Sequence, residues 1–280
     1  MKQNTGFPFS IVLSCQATRF EAATFQGDFE ANLSKVSNIG YTGVELAIRA
    51  PREMDYPTLY GLLDKFRLIV PAIGTGQAWG EEKLSFTDPD TAIREKAIQR
   101  VMDHIPSAAK LKAHIIIGLL RGKIQPGVDR EKAESWLVTA LQRCAKAADE
   151  EGVTLCLEPI NHYETSLINT VDGGLDLIKK VGANNFGLLL DTYHMNIEEA
   201  SMTQAIQKAG RRIFHFHVAD SNRQHPGAGH IDFQDILQAL FTVGYNGFIS
   251  GEFLPVPDAL TGAERSIKFL NNTQKRILST

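Results

Sequence analysis

Four residues stand out by chemical type and by place. Glu158 closes the apolar run VTLCLE, Asp191 closes FGLLLD, His217 lies near the end of IFHFHV, and Glu252 near the end of GFISGEF. Three carboxylates and one imidazole make a donor set for a borderline-hard divalent ion: Mn2+ first, with Mg2+, Co2+ or Zn2+ as alternatives. A carboxylate with one oxygen on such an ion keeps the other free to move a proton. Taken singly, each residue has a plain structural role: Glu158 before Pro159 can start a loop, and Asp191 before Thr192 can cap a turn. Four of them at the ends of successive apolar runs is a pattern that chance seldom produces.

These residues can meet only if the runs that carry them share a direction. Short apolar runs rich in β-branched residues fall at 9–15, 42–48, 68–73, 113–120, 153–158, 186–191, 213–218 and 247–253, too short for ordinary helices and suited to buried strands. Longer amphipathic stretches separate them, among them 92–111 and 131–150. In the latter, Trp136, Leu137, Ala140, Leu141, Ala145 and Ala148 recur at three- and four-residue steps, and Gly152 follows as a stop. Eight strands each followed by a helix make a single α/β domain over 1–280, a closed (β/α)8 TIM barrel, the economical reading. An open doubly wound sheet is the alternative, but no GxGxxG or Walker loop follows the first run. In the barrel all carboxyl ends of strands form one rim, so the four residues converge there. Alternation along a strand then puts Thr154 and Cys156 on the face of Glu158, Gly187 and Leu189 with Asp191, His215 with His217, and Ser250 with Glu252.

Composition excludes several classes. The 280 residues are 43% hydrophobic and 22% charged with net charge −3, against a nucleic-acid surface, which is normally basic. No apolar run approaches the ~18 residues of a membrane span. Lys2 followed by Phe7 to Cys15 faintly resembles a lipoprotein cleavage region, but the stretch is short and contains Pro8, so a first strand is preferred. Cys15, Cys144 and Cys156 lack metal or redox spacing and suit a reducing cytoplasm. His215, two residues deeper than His217, reads as a hydrogen-bonded core histidine; His114, at the opposite rim, and His104, in a helix, read as structural. Phe7, Trp79, Phe253 and Cys15 are candidates for the pocket wall.

The segments LEPINHYETSLINT (157–170), LDTYHMNIEE (190–199), FHFHVADSNRQHPGAGHIDF (214–233) and GEF (251–253) together resemble the ketose 3-epimerases of the xylose-isomerase-like barrel superfamily, over nearly the whole chain. The resemblance implies one divalent metal on Glu158, Asp191, His217 and Glu252, with substrate contacts at Glu164, His194 and Arg223. AIGTGQAW (72–79), LSFTDPD (84–90) and IIGLLRGK (116–123) add a closer likeness to the 5-keto-L-gluconate epimerase branch, which acts on a sugar acid. Pro159 and His162 depart from the pattern of the tagatose and allulose enzymes in the same direction.

In such an enzyme, loss of a proton beside the carbonyl leaves an enediolate that needs fixed positive charge, which a metal provides. Glu158 and Glu252 would flank the substrate, each base for one epimer and acid for the other. Asp191 and His217 would be ligands only, and no organic cofactor is required. Arg121, after the fourth strand, is a further candidate to grip a substrate carboxylate. An aldose–ketose isomerase, such as a hydroxypyruvate isomerase, shares the ligand set and is the first rival. An abasic-site endonuclease would need histidines where this chain has Glu45 and Ile73 to Gln77. A non-catalytic sugar-binding barrel would not need a complete acid/base pair. Expected partners are a small keto sugar or sugar acid, without nucleic acid or membrane, and the family resemblance suggests a homo-oligomer.

Overall fold

The computed structural model describes residues 6–279; Lys2 and the outermost residues of the expected 1–280 domain (1–5 and 280) lie outside them. Eight strands run β1 (Phe9–Ser14), β2 (Glu45–Ala47), β3 (Ala72–Gly74), β4 (His114–Ile117), β5 (Leu155–Leu157), β6 (Phe186–Asp191), β7 (Ile213–Val218) and β8 (Ile249–Gly251). They pair in parallel in chain order, and β8 closes on β1 to give a (β/α)8 barrel. Each expected run overlaps one strand, though several are trimmed and β3 extends one residue beyond its run. The run 68–73 yields Ala72–Gly74 because Pro71 has no N–H to give a ladder. The run 113–120 stops at Ile117, where Gly118 (φ −89°, ψ −125°) turns the chain into a 3-10 turn at Leu119–Arg121.

Helices α1 (Phe29–Asn38), α2 (Tyr56–Phe66), α3 (Gln77–Glu82), α4 (Thr91–Leu111), α5 (Arg130–Glu150), α6 (Val171–Val181), α7 (Thr192–Glu198), α8 (Met202–Ala209), α9 (Phe233–Thr242) and α10 (Ala259–Leu278) surround the strands. Most start on a side-chain cap, such as Asp129 accepting from Lys132 N at α5 and Asp232 accepting from Gln234 N and Asp235 N at α9. In α5 the apolar stripe buries Leu137, Ala140, Leu141, Ala145 and Ala148 against the barrel. Trp136 lies beside that stripe, its ring covered by Arg94 (4.2 Å) and Lys132 (5.3 Å). No helix among the described residues is long and apolar enough to cross a membrane.

The strands divide two environments. Ile115, Ile117, Leu155, Leu157, Leu188, Leu190, Phe216 and Val218 face outward into the main apolar core under the helices. Ala72, Ile116, Cys156 and Leu189 pack separately inside the barrel, with Phe214 against them. Beside this small cluster the interior is polar, with buried Ser10, Glu45, His215, His217 and Ser250. One irregularity sets the phase of β7. Leu188 pairs with Ile213, but Leu189 pairs with His215, so Phe214 is an extra residue in the ladder. Phe214 fills the barrel floor over Gly187, where an added Cβ would come 2.6 Å from its ring. Beyond the bulge, His217 stands level with Asp191.

Candidate metal centre

The four candidate ligands come from the ends of four strands, two within the strand and two one residue beyond it. Asp191 ends β6 and His217 is the fifth residue of β7, while Glu158 follows β5 and Glu252 follows β8. One donor atom from each lies within 4.8 Å of the other three. His217 Nδ1 sits 3.8 Å from Asp191 Oδ2, 3.8 Å from Glu252 Oε2 and 4.0 Å from Glu158 Oε1. These gaps are too long for hydrogen bonds and leave room for an atom in the middle. Glu158 Oε1 and His217 Nδ1 are buried without any hydrogen-bond partner. Two orphaned polar atoms aimed at one point, within an O/O/O/N donor set, fit a divalent cation.

Asp191 combines the two roles that the sequence offers it. Its Oδ1 accepts from Tyr193 N at 2.7 Å as the cap of α7, while Oδ2 faces His217. The charges crowd one another. Burial pushes the Glu158 carboxyl well above its usual range, and the nearby Glu252 carboxylate adds to this. Burial raises Glu252 to about 7, Asp191 adding to the shift and His217 opposing it. Burial works against charge on His217, yet Glu45 and Glu252 hold its pKa well above the ordinary imidazole value. Gathering three carboxylates around one imidazole without a cation is unfavourable, so the cluster has the electrostatics as well as the shape of a candidate cation site.

Above the cluster lies a cavity of about 260 Å³, lined by Glu45, Glu158, Glu164, His194, His217, Arg223 and Glu252 among others. It is smaller than the ~300 Å³ at which drug-sized sites begin, a scale suited to one monosaccharide. Asn161 organises the wall. Its Oδ1 accepts from Tyr163 N, so its Nδ2 donates to Glu164 Oε1 (3.1 Å) and to His194 Nδ1 (2.8 Å). That leaves the His194 proton on Nε2, which points to Glu158 Oε1 at 3.6 Å. Arg223 donates to Glu164 Oε1 at 3.0 Å and lies 4.8 Å over the Tyr193 ring. Glu164, His194 and Arg223 thus come together on one side of the cavity.

Arg121 is placed differently from the rim position expected of it. It is fully buried outside the cavity lining and donates to backbone carbonyls: Gly118 O at 3.0 Å, Ile168 O at 3.0 Å, and more weakly Leu167 O and Ile117 O. Four bonds to carbonyls tie the loop after β5 to the turn after β4 through this guanidinium, away from the cavity lining. Phe7, Trp79 and Phe253 do not wall the cavity either. Phe7 precedes β1 and so lies at the far rim, stacked on Phe241 at 4.1 Å; Phe253 is buried against Gly262 of α10; Trp79 lies near Lys83 and Lys123. Phe20 takes the aromatic position at the mouth, with Thr18 and Arg19. Cys15 is absent from the lining, and burial raises its pKa strongly, so its thiol stays protonated. His215 is the hydrogen-bonded interior histidine expected; its partner is Glu45, and a lone Glu after an apolar valine carries no sequence sign of facing inward. Asn161 likewise carries no sequence sign, since its role depends on a loop conformation.

The comparisons agree with this geometry. A family model described as "Xylose isomerase-like TIM barrel" matches residues 33–273. A D-psicose 3-epimerase of Ruminiclostridium cellulolyticum is 34% identical over 80% of this chain and 78% of its own. Hydroxypyruvate isomerase of Escherichia coli is 27% identical over 81% of this chain and 88% of its own. The crystal structure of D-psicose 3-epimerase with D-tagatose from Clostridium cellulolyticum H10 superposes with a TM-score of 0.80 at 26% identity, covering 95% of this chain and 99% of that one. Fold, rim and cavity converge on one conclusion: the chain belongs to the xylose isomerase-like TIM barrel family, among its ketose 3-epimerases, and is an isomerase.

Proposed function

We propose that this chain inverts the carbon next to the carbonyl of a small keto sugar or keto sugar acid, with Glu158 and Glu252 as its two acid/bases. The observation that carries the reading is the convergence of three carboxylates, Glu158 and Asp191 buried and Glu252 partly so, on the unpartnered Nδ1 of His217 at the floor of a sugar-sized cavity. Glu158, Asp191, His217 and Glu252 would hold one divalent ion, Mn2+ by preference. When bound, such an ion supplies Lewis-acid charge beside the substrate carbonyl. The rest falls to the protein. Glu158 and Glu252 follow strands separated by β6 and β7, so they reach a substrate on the cavity floor from two directions. One accepts the proton from carbon, and the other returns a proton to the opposite face; in the reverse direction the roles exchange. His194, with its Nε2 proton turned inward, and Arg223, held by Glu164, are placed to donate to substrate oxygens.

On substrate class, we infer a preference for a keto sugar acid, with 5-keto-L-gluconate converted to D-tagaturonate as the best guess. Support comes from the sequence likeness to that branch and from a cation at the mouth. Because Arg121 is committed to carbonyls, the carboxylate would be met by Arg19, which lines the cavity with its side chain 94% exposed. The D-tagatose or D-allulose type of 3-epimerase is the neutral counterpart. The test is kcat/KM for 5-keto-L-gluconate relative to D-tagatose, in wild type and in Arg19→Ala. A wild-type ratio above one that falls in the variant is expected. A ratio below one returns the enzyme to the neutral ketoses.

A further inference from the structure

His217 offers only one ring nitrogen to the candidate metal centre, and the other leads into the barrel. Its Nε2 lies 2.9 Å from Glu45 Oε2, and His215 Nε2 lies 2.8 Å from the same oxygen. All three side chains are buried, with at most 2% of each exposed. Glu45 comes from β2 and the histidines from β7, so the contact spans the barrel interior. A carboxylate oxygen only accepts, so each Nε2 carries its hydrogen. The remaining nitrogen of a neutral His217 is then a bare lone pair at Nδ1, the atom facing Glu158, Asp191 and Glu252.

Without an acceptor at Nε2 the opposite tautomer would be favoured, because three carboxylates surround Nδ1 and would draw the hydrogen there. A ring in that form donates to the carboxylates and cannot ligate a cation. We propose that Glu45, itself held in place by His215, is a positioning residue that fixes the tautomer and ring orientation of His217 for cation binding. The inference rests on the metal reading above and extends it to two residues that contribute no donor to the cluster. Outer partners of ligating histidines typically change metal affinity by about 10- to 100-fold when altered.

The test is titration calorimetry of the chelator-stripped full-length protein with MnCl2, in wild type, Glu45→Gln, Glu45→Ala and His215→Ala, together with melting of each metal-free protein. Wild type should take up one equivalent. Both Glu45 variants should bind about 10- to 100-fold more weakly, and His215→Ala should weaken binding by less. The isosteric Glu45→Gln should melt near the metal-free wild type and recover turnover at saturating Mn2+. Wild-type affinity in Glu45→Gln overturns the proposal, as does a lowered melting temperature in any of these variants with affinity unchanged. Two equivalents in wild type, the second lost with Glu45, would make Glu45 a ligand and overturn it as well. A wild type that takes up no Mn2+ overturns the metal reading first and this inference with it.

Discussion

Glu158 and Glu252 carry the proton chemistry in the proposed reaction, and replacing either carboxyl by an amide separates that role from ligation. Gln keeps an oxygen for the cation but accepts no proton from carbon. Glu158→Gln and Glu252→Gln should therefore each lower kcat by about 10²- to 10⁴-fold, measured on a panel of keto sugars with Mn2+ restored. A near wild-type rate in either variant removes that residue from the mechanism. Product formed in deuterium oxide should carry deuterium at the inverted carbon, since donors on two faces exchange with solvent. Retention of the original hydrogen would point to a hydride shift. Arg121 makes a different demand. Arg121→Met strips donors from four backbone carbonyls, three of them in buried contacts, and should cost on the order of 1–3 kcal/mol, read as a lower denaturation midpoint.

The helix caps show which motif residues serve the fold rather than the substrate. Within the GHIDF segment that supports the family likeness, Asp232 accepts from two backbone amides at the start of α9. Asp232→Ala should destabilise by about 1 kcal/mol while kcat/KM holds, and Asp232→Asn should restore most of the loss. A kinetic defect without a stability change would place Asp232 in the active site instead. Element positions were legible in the sequence where length and period agreed, as in α4 and α5, each within one residue of its expected span. Strand edges were less so. Apolar run length reports burial, whereas ladder length depends on local backbone, as Pro71 and Gly118 show. The meeting of Glu158, Asp191, His217 and Glu252 was legible because parallel strands bring their carboxyl ends together whatever their sequence separation. Glu45, Asn161 and the burial of Arg121 were not, since they depend on reach across the barrel or on loop conformation.

At the scale of the whole molecule, the apolar shell under the helices is separate from the polar interior. Removal of the metal by a chelator should abolish turnover yet leave the far-ultraviolet circular dichroism spectrum almost unchanged, because the outer core does not include the cluster. Full activity after verified metal loss would refute the metal reading. Two histidines outside the candidate ligand set should govern acid stability. Burial lowers His104 to about 3, with Arg100 adding to the shift, and burial lowers His114 to about 4, with His215 adding. Both lie below the ~6.5 of an unfolded imidazole. Between these values the unfolded chain binds more protons than the native one, so stability is present above pH ~6.5 and is lost as pH falls. Each group should contribute a slope of about 1.4 kcal/mol per pH unit. Urea midpoints from pH 7 to 4 check this, and His104→Leu should flatten the dependence.

The extra residue in β7 amounts to a correction of reading frame. A strand writes alternate letters to two audiences, shell and interior, and strict alternation from an outward Ile213 would address His215 and His217 to the shell. Phe214 inserts one letter, after which both histidines read inward and Phe216 and Val218 outward. Deleting Phe214 should then leave the downstream frame intact, costing the packing over Gly187 but not Mn2+ binding. Adding a residue between His215 and Phe216 should scramble it, turning His217 out of the cluster. Loss of Mn2+ uptake by the deletion, with the fold retained by circular dichroism, would show that the bulge sets position rather than frame.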